Sequence, residues 1–207
     1  MTAKGEKAQR THARILEEAA QLFSVHGYFH TTVDDVMARA GLTKGGFYAH
    51  FTSKEALARA VIQHATGLWL GKVAEHVARF ADPREQLRAL LEGYRLYAVD
   101  RTFEGGCFFV NLATELDDQN EDLRERIDAR FVQFRAMVAG IVEMGKAHGL
   151  FRPDTPAEGL AMILTGYLTG TMMQAKASRD FTLFDRGNAV LVDLLASFET
   201  SHPKVAP

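Results

Sequence analysis

Apolar residues along this 207-residue chain recur at the spacing of three and four that marks one face of a helix. No stretch alternates between apolar and polar residues and ends in a hairpin turn, so no strand is predicted. The pattern therefore predicts an all-α fold of about nine helices. Glycine or proline interrupts it at positions 27, 41, 82–83, 105–106 and 149, where helices are expected to end or begin.

The first part of the segment from Thr32 to Leu57 predicts a short helix closed by a tight turn. Thr32 precedes an apolar face, and Asp35 follows it at the spacing of a capping box. Gly41 stands where a helix ends in a left-handed residue, a conformation that glycine adopts at least cost. Thr43 can cap a second helix after a joint of only two residues, so the two helices must cross steeply.

The second helix of this segment has two dissimilar sides. Phe47 and Phe51 share one face, which predicts that they are buried. Polar or small residues occupy the other faces, namely Lys44, Gly45, Tyr48 and His50. A polar, basic helix with little side-chain bulk suits the major groove of DNA, so the segment is predicted to be a helix-turn-helix.

A long helix is predicted to follow the helix-turn-helix. Thr52 and Glu55 have capping-box spacing, and apart from two glycines no breaker occurs before Asp82-Pro83. A helix of about 25 residues would span roughly 38 Å. We expect it to join an N-terminal DNA-binding domain, residues 1–54, to a C-terminal domain, residues 55–207. Residues 1–9 are predicted to form a loose polar arm.

The charge distribution favours a nucleic-acid partner for the N-terminal domain. The whole chain has a formal net charge of −2, but residues 1–54 contain seven Lys and Arg against five Asp and Glu. The basic excess therefore coincides with the helix-turn-helix.

Composition disfavours several classes of function and location. No apolar run approaches the roughly 20 residues of a membrane span, and the first residues lack the apolar segment of a secretory signal. The single cysteine permits no internal disulfide. No metal-ligand spacing, phosphate-binding glycine loop or nucleophile elbow occurs, so no metal, cofactor or enzyme activity is predicted. We expect a cytoplasmic protein without a membrane partner.

The sequence of residues 15–61 resembles the TetR/AcrR family of bacterial transcriptional regulators. The resemblance rests on Gly-Tyr, then Thr-Thr, then the order Ala-Gly-x-x-x-Gly-x-x-Tyr-x-His-Phe-x-x-Lys. It implies a homodimer whose N-terminal domains bind a palindromic operator in double-stranded DNA and whose C-terminal domains bind a small-molecule effector. By position it implies base contacts from Lys44 and Gly45, a backbone contact from Tyr48, and phosphate contacts from Thr32, Thr43, His50 and Lys54.

Short stretches of the C-terminal domain resemble the NemR-type branch of this family, which represses electrophile-detoxifying enzymes. They are Gly106-Cys107 with Glu115, and the residues from Gln174 to Phe181. This resemblance implies a sensor of reactive or small organic compounds.

Cys107 allows two interpretations. It is predicted at the N-terminal end of a helix, a position that lowers the pKa of a thiol and favours the reactive thiolate. Lys176 would lower that pKa further if the helices of the two residues face each other. The alternative is that Cys107 is a small apolar residue packed in a helix.

An effector pocket is predicted among the aromatic residues of the C-terminal domain, because ligand pockets are mostly apolar with a few polar anchors. The candidate ligand-binding residues are Trp69, Tyr94, Tyr97, Cys107, Asn111, Phe134, Tyr167 and Lys176. Each aromatic residue could equally belong to the core. The eighth and ninth predicted helices, residues 155–176 and 185–198, are apolar round much of their circumference and need a second surface. They are predicted to form the homodimer interface.

These features together predict a ligand-responsive transcriptional regulator, most simply a repressor released from its operator by the effector. A thiol-dependent enzyme using Cys107 is an alternative from another class, but the sequence offers no base partner. A ligand-binding protein that has lost DNA binding is a second alternative. The intact Thr43, Tyr48, His50 and Lys54 argue against it.

Overall fold

A computed structural model describes residues 3–116 and 120–200, with side chains from residue 5 onward. Within these residues nine helices form and there is no strand, apart from one isolated β-bridge between Phe151 and Glu199, so the predicted all-α fold is confirmed. The helices are α1 (Ala3–His26), α2 (Val33–Arg39), α3 (Lys44–Phe47), α4 (Lys54–Trp69), α5 (Pro83–Val99), α6 (Phe108–Leu116), α7 (Glu121–Ala147), α8 (Ala157–Ser178) and α9 (Thr182–Ala196). α4 continues without a break through a π-helical turn (Leu70–Ala74) and a last α-helical turn (Glu75–Val77).

Capping contacts explain where α2 begins and ends. The Asp35 N–H donates to Thr32 Oγ1 over 3.1 Å, and the Thr32 N–H donates to Asp35 Oδ2 over 2.8 Å, which is the predicted capping box. Gly41 has a φ of +63°, as predicted for the end of α2. The predicted cap by Thr43 on α3 is wrong, because its side chain accepts no bond. The Gly46 N–H, which such a cap would bind, donates instead to the Thr43 carbonyl over 2.9 Å.

Two further helix starts differ from the sequence prediction. α4 is capped by Ser53, whose Oγ accepts the Ala56 N–H over 3.1 Å, so the predicted capping box of Thr52 with Glu55 is wrong. The Glu55 carboxylate accepts a bond from Asn120 instead. α1 begins at Ala3, so the predicted loose arm is helical from there; residues 1 and 2 lie outside the described residues. Residues 3–10 contain one glycine among good helix formers, which extend α1 even where no apolar stripe exists.

Packing divides the chain into two compact units. The first contains the described residues of Met1–Leu68 and Phe103–Asp128, and the second those of Trp69–Thr102 and Ala129–Pro207. In the first unit α1 packs against both α2 and α6 around a core that includes Phe23, Met37, Phe47, Leu57, Phe108 and Leu112. The predicted boundary near residue 54 separates a DNA-binding domain from a C-terminal domain by function rather than by packing, and it stays a prediction.

The second unit is built around α5. This helix contacts the π-helical turn, α8 and α9, and α9 packs against α8. Asp82 caps α5 by accepting the Arg84 N–H over 2.8 Å, and Pro83 is its first residue, as predicted. The buried face of α5 includes Leu87, Leu90, Tyr94 and Tyr97.

Candidate functional site

The short helix α3 has one buried and one exposed side. Phe47 is fully buried, and its ring lies 5.7 Å from that of Phe51, so the predicted burial of both is confirmed. Tyr48 lies edge-on to Phe47 yet is 63% exposed. A large aromatic side chain left in solvent beside a buried one is available for contact with another molecule.

Lys44 and Gly45 share the exposed side of α3 with Tyr48. The Lys44 ammonium donates to the Asp34 carboxylate over 2.9 Å, and this hydrogen bond and charge raise the pKa of Lys44. At Gly45, no atom lies within 4 Å of the position that a Cβ would take. The helix therefore presents a cation, a surface without side-chain bulk, and an aromatic ring in one short run.

The two threonines that are predicted to contact phosphate, Thr32 and Thr43, are both exposed, but only the Thr32 hydroxyl takes part in a helix cap. Thr32 Oγ1 donates to Asp35 over 2.6 Å while capping α2. That hydroxyl, followed by the Thr32 N–H, lowers the pKa of Asp35, so this carboxylate is held ionised by its role in the cap. Thr43 has no capping bond to break before it could meet a phosphate.

His50 and Lys54 are less open than the resemblance implies. His50 is half-buried, with its ring 6.0 Å from that of His12, and His12 stacks on Phe51 at 4.9 Å. The Lys54 ammonium lies 4.4 Å from the centre of the Tyr28 ring. Burial lowers the pKa of Lys54. A phosphate contact by Lys54 would therefore require its side chain to leave this ring, and the role stays a prediction.

Four of the predicted ligand-binding residues form one aromatic cluster in the second unit. The Trp69 ring lies 5.0 Å from Phe134, the Phe134 ring is parallel to Tyr94 at 6.1 Å, and the Tyr94 ring lies 5.8 Å from Tyr97. Phe184 of α9, which the sequence did not single out, adds a ring 6.3 Å from Tyr94. Tyr94, Tyr97 and Phe134 are buried in the core of the second unit, so their role in ligand binding stays a prediction.

Tyr167 adjoins this cluster through α9. Its hydroxyl lies 3.0 Å from Asn188 Oδ1 and 3.3 Å from the Phe184 carbonyl. Burial raises the pKa of Tyr167, so the phenol stays neutral near neutral pH. Lys176, near the end of α8, is exposed.

Cys107 and Asn111 belong to the first unit, whereas the residues of the aromatic cluster belong to the second. Asn111 donates from Nδ2 to the Ser24 carbonyl over 2.9 Å and to the Gly105 carbonyl over 2.8 Å, a bridge between α1 and the loop before α6. Cys107 directly precedes α6, as predicted, and is only 3% exposed. Ligand-binding roles for these two residues stay predictions.

Several polar contacts of α2, of α6 and of the turn after α1 were not predicted. Glu115 accepts backbone N–H groups from Tyr28 and Phe29, each over 2.7 Å. Arg39 of α2 pairs with Glu18 over 2.7 Å and with Glu104 over 3.1 Å. These partners are separated by 21 to 87 positions in the chain, beyond the reach of any helical spacing rule.

Two classes of site have no counterpart in residues 3–116 and 120–200. Nowhere in these stretches do three or more His, Cys, Asp or Glu side chains group so that they could hold a metal ion. None of the helices formed there combines the length and apolar character that a membrane span requires.

Comparison with protein families matches most of the chain. The model for "Bacterial regulatory proteins, tetR family" covers residues 15–61, which include the helix-turn-helix. The model for "Tetracyclin repressor-like, C-terminal domain" covers residues 83–191.

Individual proteins agree with these family matches. A TetR transcriptional regulator from Chloroflexus aurantiacus superposes with a TM-score of 0.89 at 34% identity, covering 94% of this chain and 98% of that one. The HTH-type transcriptional repressor KstR2 of Rhodococcus jostii is 31% identical over 155 residues, 74% of this chain and 73% of the repressor. Reduced NemR of Escherichia coli has a TM-score of 0.78 at 22% identity, covering 95% and 100%, which shows a shared fold alone. The chain belongs to the TetR/AcrR family of bacterial transcriptional regulators.

Proposed function

We propose that this regulator is a homodimeric repressor in the cytoplasm that binds a palindromic operator through two α3 helices and is released by a small organic effector. The observation that carries the proposal is the exposed side of α3, where Lys44, Gly45 and Tyr48 face solvent while Phe47 anchors the helix. Lysine can bind phosphate or guanine, and a smooth helix surface allows close approach to base edges. KstR2, a repressor by its name, supports repression over activation.

The decisive experiment for DNA recognition selects an operator from a random library of duplexes with the full-length protein. We expect a palindrome, since a two-fold dimer presents two identical helices to two half-sites. Binding should weaken steeply as salt increases, because phosphate contacts release counterions. Selection of no preferred sequence would refute the proposal.

Two neighbouring aromatic residues, the last residue of α3 and the one that follows it, provide a matched pair of variants for this assay. Tyr48→Ala should weaken operator binding by roughly tenfold and leave the melting temperature nearly unchanged, because the ring is 63% exposed. Phe47→Ala should lower the melting temperature strongly, because it empties a fully buried site. Equal operator affinity for Tyr48→Ala and the parent would remove Tyr48 from the interface.

The proposed dimer interface comprises the exposed apolar residues of α8 and α9. They are Met162, Ile163, Met173, Val190 and Leu194. So many large apolar side chains in solvent on two adjacent helices favour burial against a second copy. Val190→Glu should shift the protein to monomer in sedimentation and abolish operator binding, whereas Leu191→Ala, at a buried neighbour, should lower stability and keep the dimer. A dimeric Val190→Glu protein would place the interface elsewhere.

The proposed effector site is the aromatic cluster of Trp69, Tyr94, Tyr97 and Phe134, which favours an apolar or aromatic compound. The chain has one tryptophan, so its fluorescence reports on this cluster directly. Titration with a panel of aromatic acids, phenols and quinones should give a saturable change for at least one compound, and the same compound should release operator DNA. Release of operator DNA without any fluorescence change would show that the effector binds away from Trp69.

A second candidate concerns how the effector acts. In the electrophile version, the Cys107 sulfur adds to the unsaturated carbon of a compound such as N-ethylmaleimide, and a proton from water completes the adduct. Its 3% exposure favours the alternative, in which the effector binds non-covalently and Cys107 is structural. Cys107→Ser should then respond to effectors like the parent. A variant that stays on the operator when N-ethylmaleimide releases the parent would support the electrophile version.

A further inference from the structure

The turn that follows α1 is held by a single carboxylate from α6. Gly27 has a φ of +84°, which reverses the chain after His26. The next two N–H groups, those of Tyr28 and Phe29, then donate to the two oxygens of Glu115, each over 2.7 Å. Hydrogen bonds to a charged acceptor are stronger than those between neutral groups, so Glu115 fixes the backbone of this turn in one position.

The packing of the carboxylate against the turn is close. A Cβ at Gly27 would lie 2.6 Å from both Glu115 oxygens, so the carboxylate occupies the space that any other residue would need. Position 27 favours glycine because its φ is positive, and any other residue would also displace the end of the Glu115 side chain. Displacement of that carboxylate, or a shift of the turn away from it, breaks two charged hydrogen bonds.

The same turn determines where α2 begins. Thr31, which is buried, donates from Oγ1 to the Gly27 carbonyl over 2.7 Å, and the next residue, Thr32, caps α2. At the other end of α2, the Leu42 N–H donates to the Met37 carbonyl over 2.8 Å, immediately before α3. An unbroken set of contacts thus leads from Glu115 through a turn of fixed shape to α2 and then to α3.

The turn is also contacted by Lys54, whose ammonium lies over the Tyr28 ring and donates to the Phe29 carbonyl over 3.4 Å, but only Glu115 binds its N–H groups among the contacts described. Residues near Glu115 in the chain hold α1 and α2. The Gly105 N–H donates to Ser24 Oγ over 2.8 Å, Asn111 donates to the Ser24 carbonyl, and Arg39 pairs with Glu104. In the chain, residues 103–128 lie between the two stretches that form the second unit. A change transmitted along the chain into α6 therefore reaches the turn through the Glu115 carboxylate.

We propose that Glu115 is a positioning residue for operator recognition: its carboxylate holds the turn at Gly27–Phe29 in the shape that places α3 for specific binding, and movement of α6 releases it. The inference rests on the proposed function as an operator-binding repressor. It assigns regulation to the contact between α6 and the turn after α1. Without this contact, the long helix α4 alone would be the obvious element to transmit the effector signal to α3.

The test uses full-length parent, Glu115→Gln and, as a matched control, Thr114→Ala. Thr114 is the preceding residue of α6, and its hydroxyl bonds only to carbonyls of its own helix. The glutamine amide can accept one N–H but presents its own NH2 to the other. Affinities are measured for the operator selected by the parent and for a random duplex of equal length, and hydrogen exchange is followed at the amides of Tyr28 and Phe29.

We expect Glu115→Gln to lose about tenfold in operator affinity, within the range of coupling between linked sites. Random-duplex binding should stay within about twofold, because phosphate contacts carry no sequence information. The two amides should exchange about tenfold faster, while Thr114→Ala matches the parent throughout. Loss of both kinds of DNA binding in proportion would indicate a merely structural residue and overturn the proposal.

A second variant covers the case in which Glu115→Gln does not fold. Glu115→Asp keeps the charge with a shorter reach, so it should show the same selective loss at smaller size. If either folded variant exchanges its amides faster and still binds the operator as tightly as the parent, the proposal is wrong although the repressor function stands. If the parent itself selects no operator, the proposed function fails, and the positioning role fails with it.

Discussion

Gly105 meets the backbone of α1 so closely that its replacement by alanine should be costly. A Cβ at this position would lie 1.7 Å from the Ser24 carbonyl oxygen and 2.2 Å from its carbon. Non-bonded heavy atoms pack at about 3.5 Å, so the loop would have to retreat by roughly 1.5 Å or more. Its φ is not positive, so the cost of Gly105→Ala arises from this contact alone.

The retreat would break the hydrogen bonds at the contact. These are Gly105 N–H to Ser24 Oγ at 2.8 Å, and the two bonds from Asn111 Nδ2 to the carbonyls of Ser24 and Gly105. At about 1 kcal/mol each, their loss destabilises the first unit by about 2–4 kcal/mol. In a chain of this length each kcal/mol lowers the melting temperature by about 2–4 °C, so we expect a decrease of about 5–15 °C.

Thermal unfolding followed by circular dichroism at one fixed protein concentration measures this effect, because the proposed dimer would couple stability to concentration. Gly140→Ala is the control: no atom lies within 4 Å of a Cβ there, in the interior of α7. Alanine should stabilise that helix by up to about 1 kcal/mol. Replacement of glycine by alanine should thus lower the melting temperature at position 105 and raise it at position 140. A Gly105→Ala protein that melts within about 2 °C of the parent would refute the close contact.

Two surface charges provide further predictions. Asp34→Asn removes the ion-pair partner of Lys44 and leaves the ammonium available to DNA phosphates. Affinity for a random duplex, measured by fluorescence anisotropy, should rise about threefold, as expected for one exposed ion pair. Unchanged or weaker binding would count against a DNA contact by Lys44. Hydrogen bonds from Arg126 and then Arg59 lower the pKa of Asp122 to about 2. A lowered pKa stabilises the fold above the unfolded value of about 4 and loses that effect as pH falls towards 2. Parent and Asp122→Asn should therefore melt differently near pH 6 and alike near pH 2; a difference persisting there would contradict this.

Sequence patterns predicted the features that depend on neighbours in the chain. The capping box of Thr32, the left-handed Gly41 and the buried pair Phe47 and Phe51 all follow from spacings of at most four residues. The aromatic residues of the C-terminal domain were predicted to line an effector pocket; Trp69, Tyr94, Tyr97 and Phe134 do lie in one cluster, but the pocket stays a prediction.

Contacts between distant segments could not be predicted in this way. Nothing in the spacing of Glu115 indicates that its oxygens meet the N–H groups of Tyr28 and Phe29, since the packing of α6 on α1 creates that contact. Asn111 was predicted as a ligand anchor because its amide is polar, yet its Nδ2 donates to two carbonyls within the first unit. The π-helical turn after Trp69 also lacks a pattern of its own, since it preserves helix continuity.

The open surface at Gly45 has a consequence for engineering. A side chain placed there points into unoccupied space, and every residue except proline favours helix more than glycine does. Position 45 can therefore be varied, proline excepted, without a loss of folding stability. A library at this one position, selected against altered half-sites, would show directly whether position 45 makes the proposed base contacts.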